Sequence, residues 1–230
     1  MTPSDAAVHL GGSALGQHRH VCAFFNTPEE EYNVLLPFIR EGMDHGERAF
    51  HVYDADRRGR HLRELRRAGI DVDAAQHAGQ LEVRSPAETY LRHGRFNQDA
   101  MLALIHDVLE EGNDLGFPNT RVVAHAETVF DDWPGAMDFL QYEARLNFVL
   151  PLSRHAVICT YDASKIGAAI ALDALRTHPV VIIGGVMHEN PFFAPPGELL
   201  LELVGRTARL NPPALTPDDA HATTAHRTAK

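Results

Sequence analysis

The sequence predicts an α/β domain with a mostly parallel central sheet and helices on both faces. Strand-like and helix-like segments alternate from His20 to Val204. Several of the strand segments are continuous apolar runs, as strands buried on both faces require. With 44% hydrophobic and 23% charged residues in 230, the chain can build a sizeable core.

The elements follow in order. The first strand is His20–Phe25 (HVCAFF). Thr27 is placed to cap the next helix, Pro28 to take its first position and Glu30 to close a capping box. Tyr32, Leu35, Leu36, Ile39 and Met43 then recur at helical spacing, and Gly42 and Gly46 end the helix. Residues 49–53 form a second strand, residues 57–68 a basic helix with Leu62 and Leu65 inward, and Leu81–Arg84 a third strand. Residues 98–111 form a helix whose apolar face holds Met101, Leu102, Ile105, Val108 and Leu109. A fourth strand over 121–126, a long helix over 133–150 and a fifth strand over 156–161 come next. A helix over 164–175, a sixth strand Val180–Ile183 and a short helix over 199–204 complete the pattern. Residues 1–18 are small and polar and read as a flexible arm; residues 206–230 carry prolines and few large apolar side chains and read as a disordered tail. Residues 19–205 are left as a single domain.

Charge and composition exclude several classes. Lys and Arg total 21 against 31 Asp and Glu, a net charge of −10, which argues against direct nucleic-acid binding. Neither lysine, Lys165 or Lys230, follows a glycine, so no phosphate loop is present. No apolar stretch is long enough for a membrane span and no signal peptide precedes His20, so a cytoplasmic protein is expected. The cysteines Cys22 and Cys159 lie in apolar segments and read as core residues.

In a parallel sheet, ligands sit at the carboxyl ends of the strands. The first strand-to-helix turn, Phe25-Asn26-Thr27-Pro28, has no glycine, and Glu29, Glu30 and Glu31 follow it. Carboxylates in the first turn satisfy the helix dipole themselves and repel phosphate, which disfavours nucleotide binding in the usual pose. The 15 histidines show no metal-binding spacing, so no metal site and no cofactor are expected; His51 and His125 read as neutral, hydrogen-bonded or exposed groups. No nucleophile elbow is present, and no catalytic residue is assigned.

The runs that carry a resemblance are the first strand, the helix ending Pro37-Phe38-Ile39-Arg40-Glu41-Gly42-Met43, and then Gly79-Gln80-Leu81 and Tyr142-Glu143-Ala144-Arg145-Leu146-Asn147. Cys159-Thr160-Tyr161-Asp162, His178-Pro179-Val180-Val181-Ile182 and Glu189-Asn190-Pro191-Phe192 complete them. In that order the chain resembles the MEDS family of sensory domains, from about His20 to Phe193. The resemblance implies a RecA-like three-layer sandwich, descended from ATPase domains and lacking the phosphate loop. It also implies a sensor of small molecules, hydrocarbon derivatives among them. Family members carry an acidic turn after the fourth strand; here that segment reads Ala124-His125-Ala126-Glu127-Thr128-Val129-Phe130, and Glu127 takes the acidic place. There is no room for a helix-turn-helix before His20 and none is evident after Phe193, so a stand-alone sensor is expected.

The leading expectation is a non-catalytic domain that binds a small, partly apolar ligand. It would signal to a regulatory partner, a kinase, an anti-sigma factor or a transcription factor, with a homodimer as one assembly. Phe25, Tyr53, Tyr161 and Phe192 would supply apolar walls, and His20, Asp54, Glu127, Glu143, Asp162 and Asn190 the polar groups, with 184–193 as the moving segment. The rivals are a ligand-free interaction module in a partner-switching pathway and, lower, a metal- or nucleotide-dependent enzyme.

Overall fold

A computed structural model describes residues 7–130, 137–150 and 154–210. A hairpin of β1 (Val8–Leu10) and β2 (Ser13–Leu15) comes first, then β3 (His20–Phe25), α1 (Pro28–Asp44), β4 (Arg48–Val52), α2 (Ala55–Arg67), α3 (Val72–His77) and β5 (Leu81–Arg84). There follow α4 (Gln98–Asp114), β6 (Thr120–His125), α5 (Met137–Val149), β7 (Ala156–Asp162), α6 (Ala168–Thr177), β8 (Val180–Ile183), β9 (Val186–Glu189) and α7 (Pro196–Leu210).

The central sheet has seven strands in the order β5-β4-β6-β7-β3-β8-β9. All neighbours are parallel except β9, which turns back antiparallel on β8. Side chains alternate across the sheet, so β3 sends Val21, Ala23 and Phe25 to one face and Cys22 to the other. The first face packs against α1, α2 and α3 through Leu35, Phe38, Ile39, Leu65 and Val72. The second packs against α4, α5 and α6 through Ile105, Val108, Phe139, Tyr142 and Ala174. Both faces being covered, β4 and β6 are buried along their whole length, their polar residues Arg48, His51, Thr120, Arg121 and His125 included. This is the three-layer architecture expected of a RecA-like fold.

Four features depart from the sequence reading. Residues 8–15 are not a free arm: Val8, Leu10 and Leu15 are buried, and Glu41 of α1 accepts from the His9 backbone N–H at 3.0 Å. Gly11 and Gly12, both at positive φ, make the tight turn that such a short hairpin needs. Helix α7 runs to Leu210, so the boundary placed at 205/206 falls inside it; Arg206 reaches back to Asp173 of α6 at 2.5 Å. The segment over 184–193 holds β9 and an anchored turn, with Gly184 and Gly185 at positive φ between β8 and β9. Helix α3 was not read from the sequence at all. The start of the long helix at 133–136 and the tail from 211 lie outside the described residues.

Gly42, read as a helix stop, lies inside α1. A Cβ there would stand 2.6 Å from Nε of Arg121, whose side chain is buried and held by Glu47 and Glu41. In an open helix Gly→Ala gains about 1 kcal/mol. Here overpacking against a fixed guanidinium costs about 1–3 kcal/mol and reverses the sign. Denaturant unfolding of Gly42→Ala is expected to show net loss; a gain would mean that Arg121 can move aside.

Candidate functional site

The carboxyl ends of β3, β4, β6 and β7 meet the first turns of α1 and α2 around a cleft of about 100 Å³. Its lining includes Phe25, Glu31, Tyr53, Arg57, His125, Glu127, Tyr161 and Asp162. Each strand contributes through its last residues, as the register of a parallel sheet dictates. Helix α1 contributes Glu31, turned inward on the same buried side as Tyr32 and Leu35. Helix α2 contributes Arg57 from its first turn.

The polar groups form one connected floor. Tyr53 donates its hydroxyl to Glu31 Oε1 at 3.0 Å, and His125 Nε2 stands 3.1 Å from the same oxygen. On its other side His125 Nδ1 lies 3.2 Å from Glu127 Oε1, which also accepts from Arg57 Nη1 at 2.8 Å. Arg57 continues to Asp162 at 3.5 Å. Burial alone would keep His125 neutral, but the charges of Glu31 and Glu127 and their hydrogen bonds lift its pKa to about 9. Arg57 Nη1 also lies 2.8 Å from His125 Nδ1, where it can donate only to a His125 whose Nδ1 carries no proton. Glu127 is pushed up by burial and pulled down further by His125 and Arg57, ending below the usual carboxylate range.

Two further histidines behave in the opposite way. His61 stacks on the Tyr53 ring at 3.8 Å, and His51 Nδ1 lies 2.9 Å from His61 Nε2. Burial and the charge of His125 lower His51 to about 3, and burial with His51 and His125 lowers His61 well below the ordinary value. The expectation of a neutral, hydrogen-bonded histidine thus fits His51; His125 is the departure, because two carboxylates face it.

The N-terminus of helix α1 is capped by its own side chains. The Thr27 hydroxyl accepts from the Glu30 N–H at 3.2 Å, and Glu30 accepts from the Asn26 N–H at 2.9 Å. Two of the donors at this turn are thus engaged, one of them by a carboxylate.

Of the residues singled out from the sequence, Phe25, Tyr53, Glu127, Tyr161 and Asp162 line the cleft. Asp54 sits beside it at the N-cap of α2, its pKa raised by burial against the opposing charges of Arg57 and His125. Phe192 is 58% exposed and lies elsewhere. Asn190 is a clasp between segments, donating to the carbonyls of Leu175 and His178 at 2.5 and 2.7 Å. His20 begins β3 rather than ending it. It meets Glu143 in a buried cluster on the α5 side of the sheet, with Cys159 and His178, and these four could hold a metal ion. Glu31, Arg57 and Arg60 were missed as site residues, and His125, read as a neutral or exposed group, belongs with them. For Glu31 a signal existed: it stands four residues before Leu35, on the stripe that α1 buries.

Tyr161 and Glu127 each bring an unsatisfied polar atom. The Tyr161 hydroxyl and Glu127 Oε2 are buried and without a hydrogen-bond partner. Buried polar atoms are nearly always paired, so both await one.

The family model for the methanogen/methylotroph, DcmR sensory domain, MEDS, matches residues 19–179. The transcriptional repressor DcmR of Methylorubrum extorquens is 27% identical over 176 residues, which are 75% of this chain and 63% of that protein. The chain thus spans less than two thirds of the length of that relative. A KaiC-like protein of Pyrococcus horikoshii superposes with a TM-score of 0.50 at 18% identity, over 75% of this chain and 73% of that one, a likeness of fold.

Proposed function

The chain belongs to the MEDS family of sensory domains, and from that premise we propose that it binds a small neutral molecule in the cleft at the carboxyl ends of β3, β4, β6 and β7. The observation that carries the reading is the cleft's composition. Aromatic walls from Phe25 and Tyr53 stand over a floor in which Glu31, Glu127 and Asp162 are offset by Arg57, Arg60 and His125. Such a balance favours no strong net charge in the ligand. About 100 Å³ admits only a few heavy atoms, at the small end for ligand sites. Glu127 Oε2 wants a donor, so an O–H or N–H on an otherwise apolar body is the matching chemistry.

The domain carries out no reaction; it reports occupancy to a regulatory protein. The relative that is a transcriptional repressor supports the regulatory half of this reading. Among the described residues no helix is long and apolar enough to cross a membrane, which accords with a partner met in solution.

The test is an amide-resolved NMR titration with one- to four-carbon alcohols, amides and halogenated analogues. Expected are shifts that cluster at Phe25, Thr160 and Asp162 and that disappear in Glu127→Ala. Were none of the panel to shift these amides, or were ATP with magnesium to shift them instead, the reading would fail.

A further inference from the structure

We propose that His20, Glu143, Cys159 and His178 form a closed four-coordinate site for a divalent zinc-class ion, beneath the sheet and apart from the cleft. The four come from β3, α5, β7 and the entry to β8, and all are 2% exposed or less. Their ligand atoms lie within 4.8 Å of one another.

Four of the six ligand-atom spacings lie within about half an ångström of a tetrahedral edge. Metal bonds of about 2.0–2.3 Å to nitrogen, oxygen and sulfur place neighbouring ligand atoms about 3.3–3.6 Å apart. Glu143 Oε2 is 3.1 Å from His20 Nε2 and 3.0 Å from His178 Nε2. Cys159 Sγ is 3.5 Å from Glu143 Oε2 and 3.7 Å from His20 Nε2.

The surrounding hydrogen bonds fix both histidines in the metal-binding tautomer. Asn147 donates its amide hydrogens to the carbonyls of Glu143 and Thr177 at 3.1 and 2.7 Å. Its Oδ1 therefore faces His20 Nδ1 at 3.2 Å, so that nitrogen carries the proton. His178 Nδ1 lies 2.7 Å from the Ala174 carbonyl, a pure acceptor, and carries its proton too. Both Nε2 atoms face the buried Glu143 carboxylate at 3.0–3.1 Å, a contact that needs either a proton on the ring or a shared cation between them. His178 Nε2 has no hydrogen-bond partner despite its proximity to Glu143. Converging lone pairs in a dry interior call for a cation, and a ligating histidine held through its other nitrogen is the usual second-shell arrangement. Two imidazoles, a thiolate and a carboxylate suit zinc(II) and its cobalt(II) surrogate.

Such an ion would tie three adjacent strands to α5. It would also stand near the Tyr161 ring, which shares Cys159's face of β7 and lies 6.3 Å from the ring of His178.

The probe is the metal alone, on the full chain. Protein purified without chelator is expected to carry one zinc per chain. Chelated protein is expected to take one cobalt(II), with the visible bands of four-coordinate cobalt and a sulfur-to-cobalt charge-transfer band. Cys159→Ser should remove that band and Cys22→Ser should keep it. Asn147→Ala, which spares the ligands, should weaken cobalt binding about 10–100-fold. A natively folded chain that takes up no stoichiometric zinc or cobalt overturns the site. So does a charge-transfer band that survives Cys159→Ser, or an Asn147→Ala chain with unchanged affinity; the last decides the matter if Cys159→Ser does not fold.

Discussion

Replacing Arg121 by alanine is expected to cost about 3–5 kcal/mol of folding stability. Arg121 is the second residue of the buried strand β6 and is only 2% exposed. Its guanidinium pairs with Glu47, lies 2.9 Å from Glu41, donates to the Phe38 carbonyl at 2.5 Å and covers the Phe38 ring at 4.7 Å. Removing it leaves Glu47 buried with only the Asn119 amide, at 3.0 Å, among the side chains that hold it. The cost is chiefly that stranded carboxylate rather than the lost pair. Arg121→Met with Glu47→Leu should therefore recover most of the stability, since a buried ion pair is often matched by apolar groups of like volume. At about 2–4 °C per kcal/mol for a chain of this size, thermal melts should separate the single and double variants by 10 °C or so. A single variant within about 1 kcal/mol of the parent would mean that water reaches Glu47 and that the strand is less tightly closed than its burial says.

That ion pair marks the limit of what the sequence discloses. Strand β6 was legible because Val122, Val123 and Ala124 are apolar, and the sheet because such runs alternate with amphipathic helices. The charged ends of the same strand look like surface positions until β4 and α1 are placed against them. The cleft divides in the same way. Phe25, Tyr53, Glu127, Tyr161 and Asp162 follow from one rule about the ends of parallel strands. Glu31 and Arg57 do not, because a charged residue in the first turn of a helix reads as solvated unless the helix's rotation is known. Of the cluster of His20, Glu143, Cys159 and His178, the sequence offered His20 and Glu143 as ligand-binding groups but not their meeting with Cys159 and His178. It depends on β3 pairing with β7 so that Cys22 stands opposite Cys159, and on α6 delivering His178 alongside, contacts between segments up to 158 residues apart that no spacing rule encodes. Hairpin β1–β2 and strand β9 were missed for another reason. Each is short, each turns on a pair of glycines, and only the buried Val8, Leu10 and Leu15 separate the first from a loop.

The cleft's histidines make a second large prediction, a stability dome centred near pH 6.5. His125 has a folded pKa of about 9 against an ordinary 6.5. Its pairing stabilises fully below pH 6.5 and is lost as pH rises through about 9, a fall of about 3 kcal/mol at 1.36 kcal/mol per pH step. His51 has a folded pKa of about 3. The unfolded chain protonates it below pH 6.5 while the folded chain does not, so stability drops as pH falls, and His61, lowered in the same direction, adds to the slope. Thiols and phenols raised by burial act only above pH about 9, since Cys159 and Tyr161 start from ordinary values of 9.0 and 10.0. Urea unfolding from pH 4 to 9 should trace both limbs. His125→Gln should flatten the alkaline limb and leave the acid one standing. If the parent shows no alkaline limb below pH 9, then His125 is neutral, with Nδ1 accepting from Arg57 at 2.8 Å and Nε2–H given to Glu31. The distinction reaches function. A charged His125 holds Glu31 and Glu127 in place and leaves Glu127 Oε2 as the free acceptor, so ligand affinity should follow the same alkaline limb as stability. A neutral one leaves Arg57 and Arg60 to balance the cleft, and affinity should then be level from pH 6.5 to 9.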